Sequence, residues 1–276
     1  MKPILSAAIL LILFCSKLSA QHSATKLWET DTILKVPESV LYDGENRVLY
    51  VSNIDGKEPW GKDGKGSIGK VGLDGKVIAV DWVSGLNAPK GLGKYKGKLY
   101  AADITDVVVI DIAKGAIEKS IPVPGAENLN DISVGDDGAV YVSDSKYNKI
   151  YKIENDKPSV YVEGLKGANG VLSRGKDFFI VDAGAAYKVN GDRSLTKIAD
   201  GMQGGTDGIE NYSGNDFLIS CWQGALWYVH ADGNKELLFD GKAQNTNTAD
   251  IGFDPAKKIV YVPTFWRNSI IAFQVK

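Results

Sequence analysis

The stretch NLNDISVGDDGAVYVSD, residues 128–144, carries the pattern on which the fold turns. Two short apolar runs flank a GDDG turn. Both are rich in β-branched and aromatic residues, which marks them as strands joined by a hairpin. The second run recurs along the chain. It reads VLYVSN ending at Asn53, KLYAAD at Asp103, VYVSD at Asp144, FFIVD at Asp182, FLISC at Cys221 and VYVPT at Thr264, at intervals of 50, 41, 38, 39 and 43 residues. Self-similarity at a fixed period of this size signals a repeat architecture.

Each phrase is preceded by a short apolar strand and followed by a third, such as KIYKIE (149–154), AAYKVN (185–190) or ALWYVH (225–230). A fourth comes after a polar turn, as in VIAVDW (77–82) or ELLFD (236–240). Six units of four strands predict an all-β, six-bladed β-propeller, a single domain over residues 21–276. The last unit supplies only DIGF, IVYVPT and SIIAFQV. Its missing strand is available in KLWETDTI (26–33), whose pairing there would close the ring and remove two open sheet edges.

Residues 1–20 read as a secretory signal peptide. Lys2 gives a positive start, Ala7 to Phe14 an apolar core, and Ser19 and Ala20 small residues before a cut near Gln21. The reading places the mature protein outside the cytoplasm, in a periplasm or secreted. No other run reaches the roughly 18 apolar residues of a membrane span. Without residues 1–20 the charge count is 30 basic against 34 acidic residues, a net of −4, which offers no footprint for nucleic acid. Cys221 is then the remaining cysteine, so no intramolecular disulfide is expected. The two histidines are His22, expected to fray at the start of the mature chain, and His230. A Ser/His/Asp or Cys/His catalytic arrangement is correspondingly disfavoured.

A polar residue recurs where each first strand begins. In order these are Glu38 (PESV), Lys90 (NAPKGL), Asn130 (NLND), Asn169 (GANG), Asp207 (GTDG) and Asp250 (TADI), spaced by 52, 40, 39, 38 and 43 residues. Any one of them is ordinary turn chemistry. In a propeller, however, first strands line the central tunnel and begin at one face, so the six converge on a single mouth. Glu38, Asn130, Asn169 and Asp207 would bring four hard oxygen donors and two negative charges. That set suits calcium, though other divalent ions are possible.

The phrases PESVLYD, NLND with DGAVYVSD, GANG and TDG, in that blade order, resemble the senescence marker protein/regucalcin/gluconolactonase-like family of calcium-dependent six-bladed propellers. Diisopropyl fluorophosphatase and, more distantly, the paraoxonases share the plan. The resemblance implies that Glu38, Asn169 and Asp207 ligate the metal, that Asn130 is a ligand or a contact to substrate and bound water, and that Asp207 is the catalytic base or nucleophile. One departure is Asn128, at the substrate-contacting position where regucalcin-type gluconolactonases carry an arginine.

Loops after the second strands return to the same face. The longest, IDGKEPWGKDGKGS (54–67), brings Trp60; its counterparts bring Tyr147, Trp222, Trp266 and Arg267. With Lys90, these form an expected aromatic and cationic rim for a small-molecule substrate. GKEPWGKD nearly spells a phosphate-binding loop, but Asp63 replaces the required Ser or Thr and no helix follows, so a nucleotide is not expected. Two functions fit: a calcium-dependent hydrolase of lactones or related cyclic esters, or a non-catalytic sugar- or peptide-binding propeller with a structural metal. Oligomeric state leaves no trace in the sequence.

Overall fold

The structure, a computed structural model, describes residues 21–203 and 205–276; the predicted signal peptide lies outside the described residues. Six antiparallel four-stranded sheets follow one another along the chain. Blade one comprises Pro37–Asp43, Val48–Asn53, Gly66–Gly72 and Val77–Leu86. Blades two to five repeat the plan with inner strands Pro89–Tyr95, Leu129–Val134, Ala168–Arg174 and Thr206–Ser213. Blade six contains Gly252–Asp254, Ile259–Pro263 and Ile270–Val275, and its outermost strand is Ala24–Glu29 from the N-terminal end. Ala24 pairs with Val275 and Glu29 with Ile271, so the ring closes as the repeat predicts. Among the described residues no helix is long and apolar enough to cross a membrane.

The cores lie between blades. Leu49, Val51, Val71, Tyr261 and Ala272 form one such layer, which packs blade one against blade six. Alternation within each strand supplies these layers, because successive side chains point to opposite faces of a sheet and each face meets a neighbouring blade.

Two local devices shape the tunnel mouth. The first is a break in register at the start of the inner strand, between Pro37 and Ser39, Pro89 and Leu92, Leu129 and Ile132, Ala168 and Val171, and Thr206 and Ile209. A bulge of this kind releases a residue from the ladder and re-aims its side chain. In three blades the freed backbone N–H finds a buried serine of the second strand: Ser39 N donates to Ser52 Oγ at 2.9 Å, Asp131 N to Ser143 Oγ at 2.9 Å and Gly208 N to Ser220 Oγ at 2.8 Å. The second device is glycine after the polar residue. A Cβ on Gly170 would stand 2.2 Å from the Asp207 carbonyl oxygen, and one on Gly208 would stand 2.4 Å from Asp250 Oδ1. Only glycine lets neighbouring inner strands approach this closely.

Candidate metal centre and substrate cavity

Bulge and glycine together deliver the polar residues to one place. Glu38, Lys90, Asn130, Asn169 and Asp207 line a single cavity of about 330 Å³. Trp60, Trp222 and Trp266 wall it, as the loops predict, along with Pro59 and Phe265, which sequence reading did not single out. The three tryptophans remain 36, 38 and 46 % exposed, an open aromatic rim over a buried polar floor.

The floor is chemically incomplete. Glu38 Oε2 and Asn169 Oδ1 are buried and have no hydrogen-bond partner among the described residues. Most buried polar atoms in proteins are paired, and each exception calls for a physical reason. Both orphans are acceptors, and both belong to the oxygen set expected to hold a cation. Asn130 is oriented by its amide, which donates to Ser145 Oγ at 2.9 Å, leaving its side-chain oxygen for the cavity. The residues present therefore fit a hard divalent ion.

Burial pushes Glu38 up to about 8, with Asp250 adding to the rise and Lys90 opposing it. Asp207 is raised well above the usual carboxylate range, first by burial, then by Glu38 and Asp250, against the pull of Asn169 and Lys90. Lys90 is depressed by burial, opposed by Glu38, Asp207 and Asp103. Charges crowded in this way are a mark of functional sites.

Not every expected contact reaches the cavity. Asn128, Tyr147 and Arg267 are absent from its lining. The Tyr147 hydroxyl donates to Glu127 Oε1 instead. Arg267 Nε donates to Glu29 Oε1 at 2.8 Å, so this side chain clasps the strand that closes the ring. The Asn128 carbonyl accepts the Ser145 N–H at 3.0 Å, a bond that fixes the loop beside Asn130. His22 does not fray. Its ring stacks on Tyr228 at 3.6 Å, and both histidines meet Glu236 on the outer strands of blade five, with Nδ1 of His22 at 3.3 Å and Nε2 of His230 at 2.6 Å. Cys221 is buried, and its thiol is pushed up to about 12 by that burial, which makes it a poor nucleophile.

Backbone strain collects above the mouth. Val36, Ile104 and Phe265 adopt left-handed φ values of 55, 63 and 50°, and they pack together with Ile54, Ala88 and Ala249. Such conformations are costly for branched and bulky residues and tend to cluster at ligand sites.

Further along the same inner strands lies a second cavity, of about 290 Å³, whose acids are Asp131, Glu210 and Asp250. Here the protein supplies the partners. Asp131 Oδ1 accepts from Ile132 N and Oδ2 from Val171 N, both at 2.7 Å, while Ser39 Oγ donates to Asp250 Oδ2 at 2.5 Å. Burial pushes Asp250 to about 6 and Glu210 to about 8.

A ring of six sheets with an oxygen-lined, aromatic-rimmed mouth defines a class of propeller with a polar central ligand site. The SMP-30/Gluconolactonase/LRE-like region matches residues 36–210, well over half of the chain and all four oxygen-donor residues, so the chain belongs to that family. No match is found among curated proteins. Among solved structures, a gluconolactonase of Xanthomonas campestris is similar with a TM-score of 0.69 and 15% identity, over 88% of this chain and 87% of that one. A streptogramin B lyase gives 0.67 at 10% identity over 93% and 98%. The virginiamycin B lyase of Staphylococcus aureus gives 0.62 at 14% identity over 92% and 99%. At these identities the structural likenesses speak for the fold.

Proposed function

We propose that the protein is an exported, divalent-metal-dependent hydrolase of lactones or related cyclic esters. The observation that carries this reading is the pair of orphaned buried oxygens, Glu38 Oε2 and Asn169 Oδ1, in one cavity with Asp207. Family membership and a gluconolactonase among the structural neighbours support the substrate class. Glu38, Asn130, Asn169 and Asp207 would hold the ion, calcium by the hardness and number of their oxygens. When bound, such an ion supplies Lewis-acid polarisation of the ester carbonyl and countercharge for the oxyanion.

The chain's own residues do the rest. Trp60, Trp222 and Trp266 offer flat apolar walls that hold a ring and narrow the access of water. The Asp207 carboxylate faces the cavity and accepts the proton of the attacking water. The Asn169 amide favours the ionised form of that carboxyl, opposing the rise that burial imposes. The reading is tested with the mature protein on a panel of lactones, esters and phosphotriesters. Hydrolysis of lactones, abolished by a chelator and restored by calcium, is expected. Thermal stabilisation by calcium with no turnover on any member would leave a binding propeller instead.

A further inference from the structure

Lys90 is the mouth residue whose ammonium is left without a hydrogen bond among the described residues, although, against the cost of burial, Glu38, Asp207 and Asp103 favour its charge. It is 2 % exposed, lines the cavity, and is the sole cation among the described lining residues. Its Nζ donates no hydrogen bond and enters no ion pair among the described residues; it stands over the face of Trp60, 4.1 Å from the ring centroid. An ammonium has three donors, and a buried one left without acceptors is strongly disfavoured. Trp60 offsets part of that cost by attraction between cation and ring face. The donors themselves remain free, and they border a cavity large enough for a small ligand.

The lining narrows what that ligand is. Its charged side chains are Glu38, Asp207 and Lys90, and the two acids belong to the set that would hold the ion. A ligand group that meets Lys90 therefore brings acceptor oxygens of its own, and an anionic acceptor gains a charge-assisted hydrogen bond there.

We propose that Lys90 anchors a carboxylate on the ligand, so that this site takes cyclic esters bearing an acid group. The ester half of that statement rests on the hydrolase reading; the acid half rests on Lys90 alone. The ring would lie between Lys90 and the oxygen cradle, against the tryptophan walls. Lys90 is then a specificity-determining residue.

The test uses binding, so that it does not depend on turnover. Two inert probes are titrated into the calcium-loaded mature chain by calorimetry and tryptophan fluorescence: a cyclopentanone carrying a carboxylate, and the same ring carrying a carboxamide. A charge-assisted hydrogen bond predicts that the acid binds about ten- to a hundredfold tighter. In Lys90→Gln and Lys90→Met the preference is expected to collapse to within about threefold, since the charge-assisted bond is gone, while calcium still binds. Equal affinity of the two probes for the wild type, or a preference that survives in a folded variant, would overturn the proposal. The wild-type pair decides the matter if neither variant folds. Acid preference without turnover of any lactone would sink the hydrolase reading and leave the anchor standing. Lactone turnover with equal kcat/KM for acid and amide substrates would do the reverse.

Discussion

At the mouth of the tunnel, Glu38 Oε2 and Asn169 Oδ1 are buried without a hydrogen bond among the described residues. A few residues further along the same strands, Asp131 spends both oxygens on backbone N–H groups and Asp250 takes the Ser39 hydroxyl. Both regions hold carboxylates whose charge is penalised by burial. The difference lies in who supplies the partner. Deeper in the tunnel the protein does, and the acids tie blade three to blade four and blade one to blade six. At the mouth the partner must come from outside. Between these two regions, satisfaction of hydrogen bonds, rather than burial or residue type, marks the difference. Elsewhere Trp227 Nε1 and Asp254 Oδ2 are also buried without a partner among the described residues, but neither lines the mouth.

The largest effect expected from this contrast is on Asp207. Asp207→Asn should lower turnover by about 10²- to 10⁴-fold, while the melting temperature measured without calcium holds or rises, because burial penalises the charge of the carboxyl it replaces. Asp131→Ala should do the opposite. Loss of its two accepted bonds should lower unfolding free energy by about 1–3 kcal/mol for each backbone group left unpaired. Its kcat/KM should stay within a few-fold of the wild type, as read by denaturant titration and initial rates. If the two variants behaved alike, the distinction between regions would fail.

Metal addition comes next. At a hundredfold excess over its Kd, calcium should raise unfolding free energy by about 2.7 kcal/mol. Glu38→Gln should forfeit most of that gain, and Glu210→Gln should keep it. A thermal-shift titration separates the cases.

Much of this contrast was legible in the sequence, and the unread part has a physical cause. The period near forty exposed the blades because every unit repeats its strand chemistry, and the polar residue at five of the six joins lines the mouth; Asp250, expected there with them, lines the deeper cavity instead, where it accepts from Ser39. Asp131 was hidden by its neighbour. It follows Asn130 directly, so a bulge, which no residue type announces, decides that one side chain serves the mouth while the other turns to Val171. Glu210 lies within an inner strand and carries no turn signal. Of the rim loops, those carrying Trp60, Trp222 and Trp266 line the mouth. Tyr147 and Arg267 were not separable from them by sequence, because their partners, Glu127 and Glu29, lie 20 and 238 residues away. The aspartates ending several second strands fasten the loop before the join: Asp103 accepts from Asn87 and Ala88, and Asp182 from Lys166 and Gly167.

A pH experiment sharpens the comparison at smaller amplitude. Glu210 is raised from 4.5 to about 8 by burial and by Asp250, so the folded state holds its proton where the unfolded state releases it. Its contribution is fully present below the unfolded value and is lost as pH rises toward about 8. Glu210→Gln should flatten the fall in melting temperature between pH 5 and pH 8.5, measured with the mouth loaded with calcium. An unchanged slope would show that Glu210 is ionised throughout.

The smallest effects belong to residues that face away from the cavity. Tyr147→Phe should leave kcat/KM within about twofold. Arg267→Ala should cost about 0–1 kcal/mol of stability, as exposed ion pairs do, with no change in substrate preference.

The central claim is tested most directly by a crystal structure of the mature protein grown in calcium. One ion in contact with Glu38, Asn169 and Asp207 is the predicted result. A mouth without density for an ion, with Glu38 Oε2 and Asn169 Oδ1 hydrogen-bonded to protein groups, would contradict it.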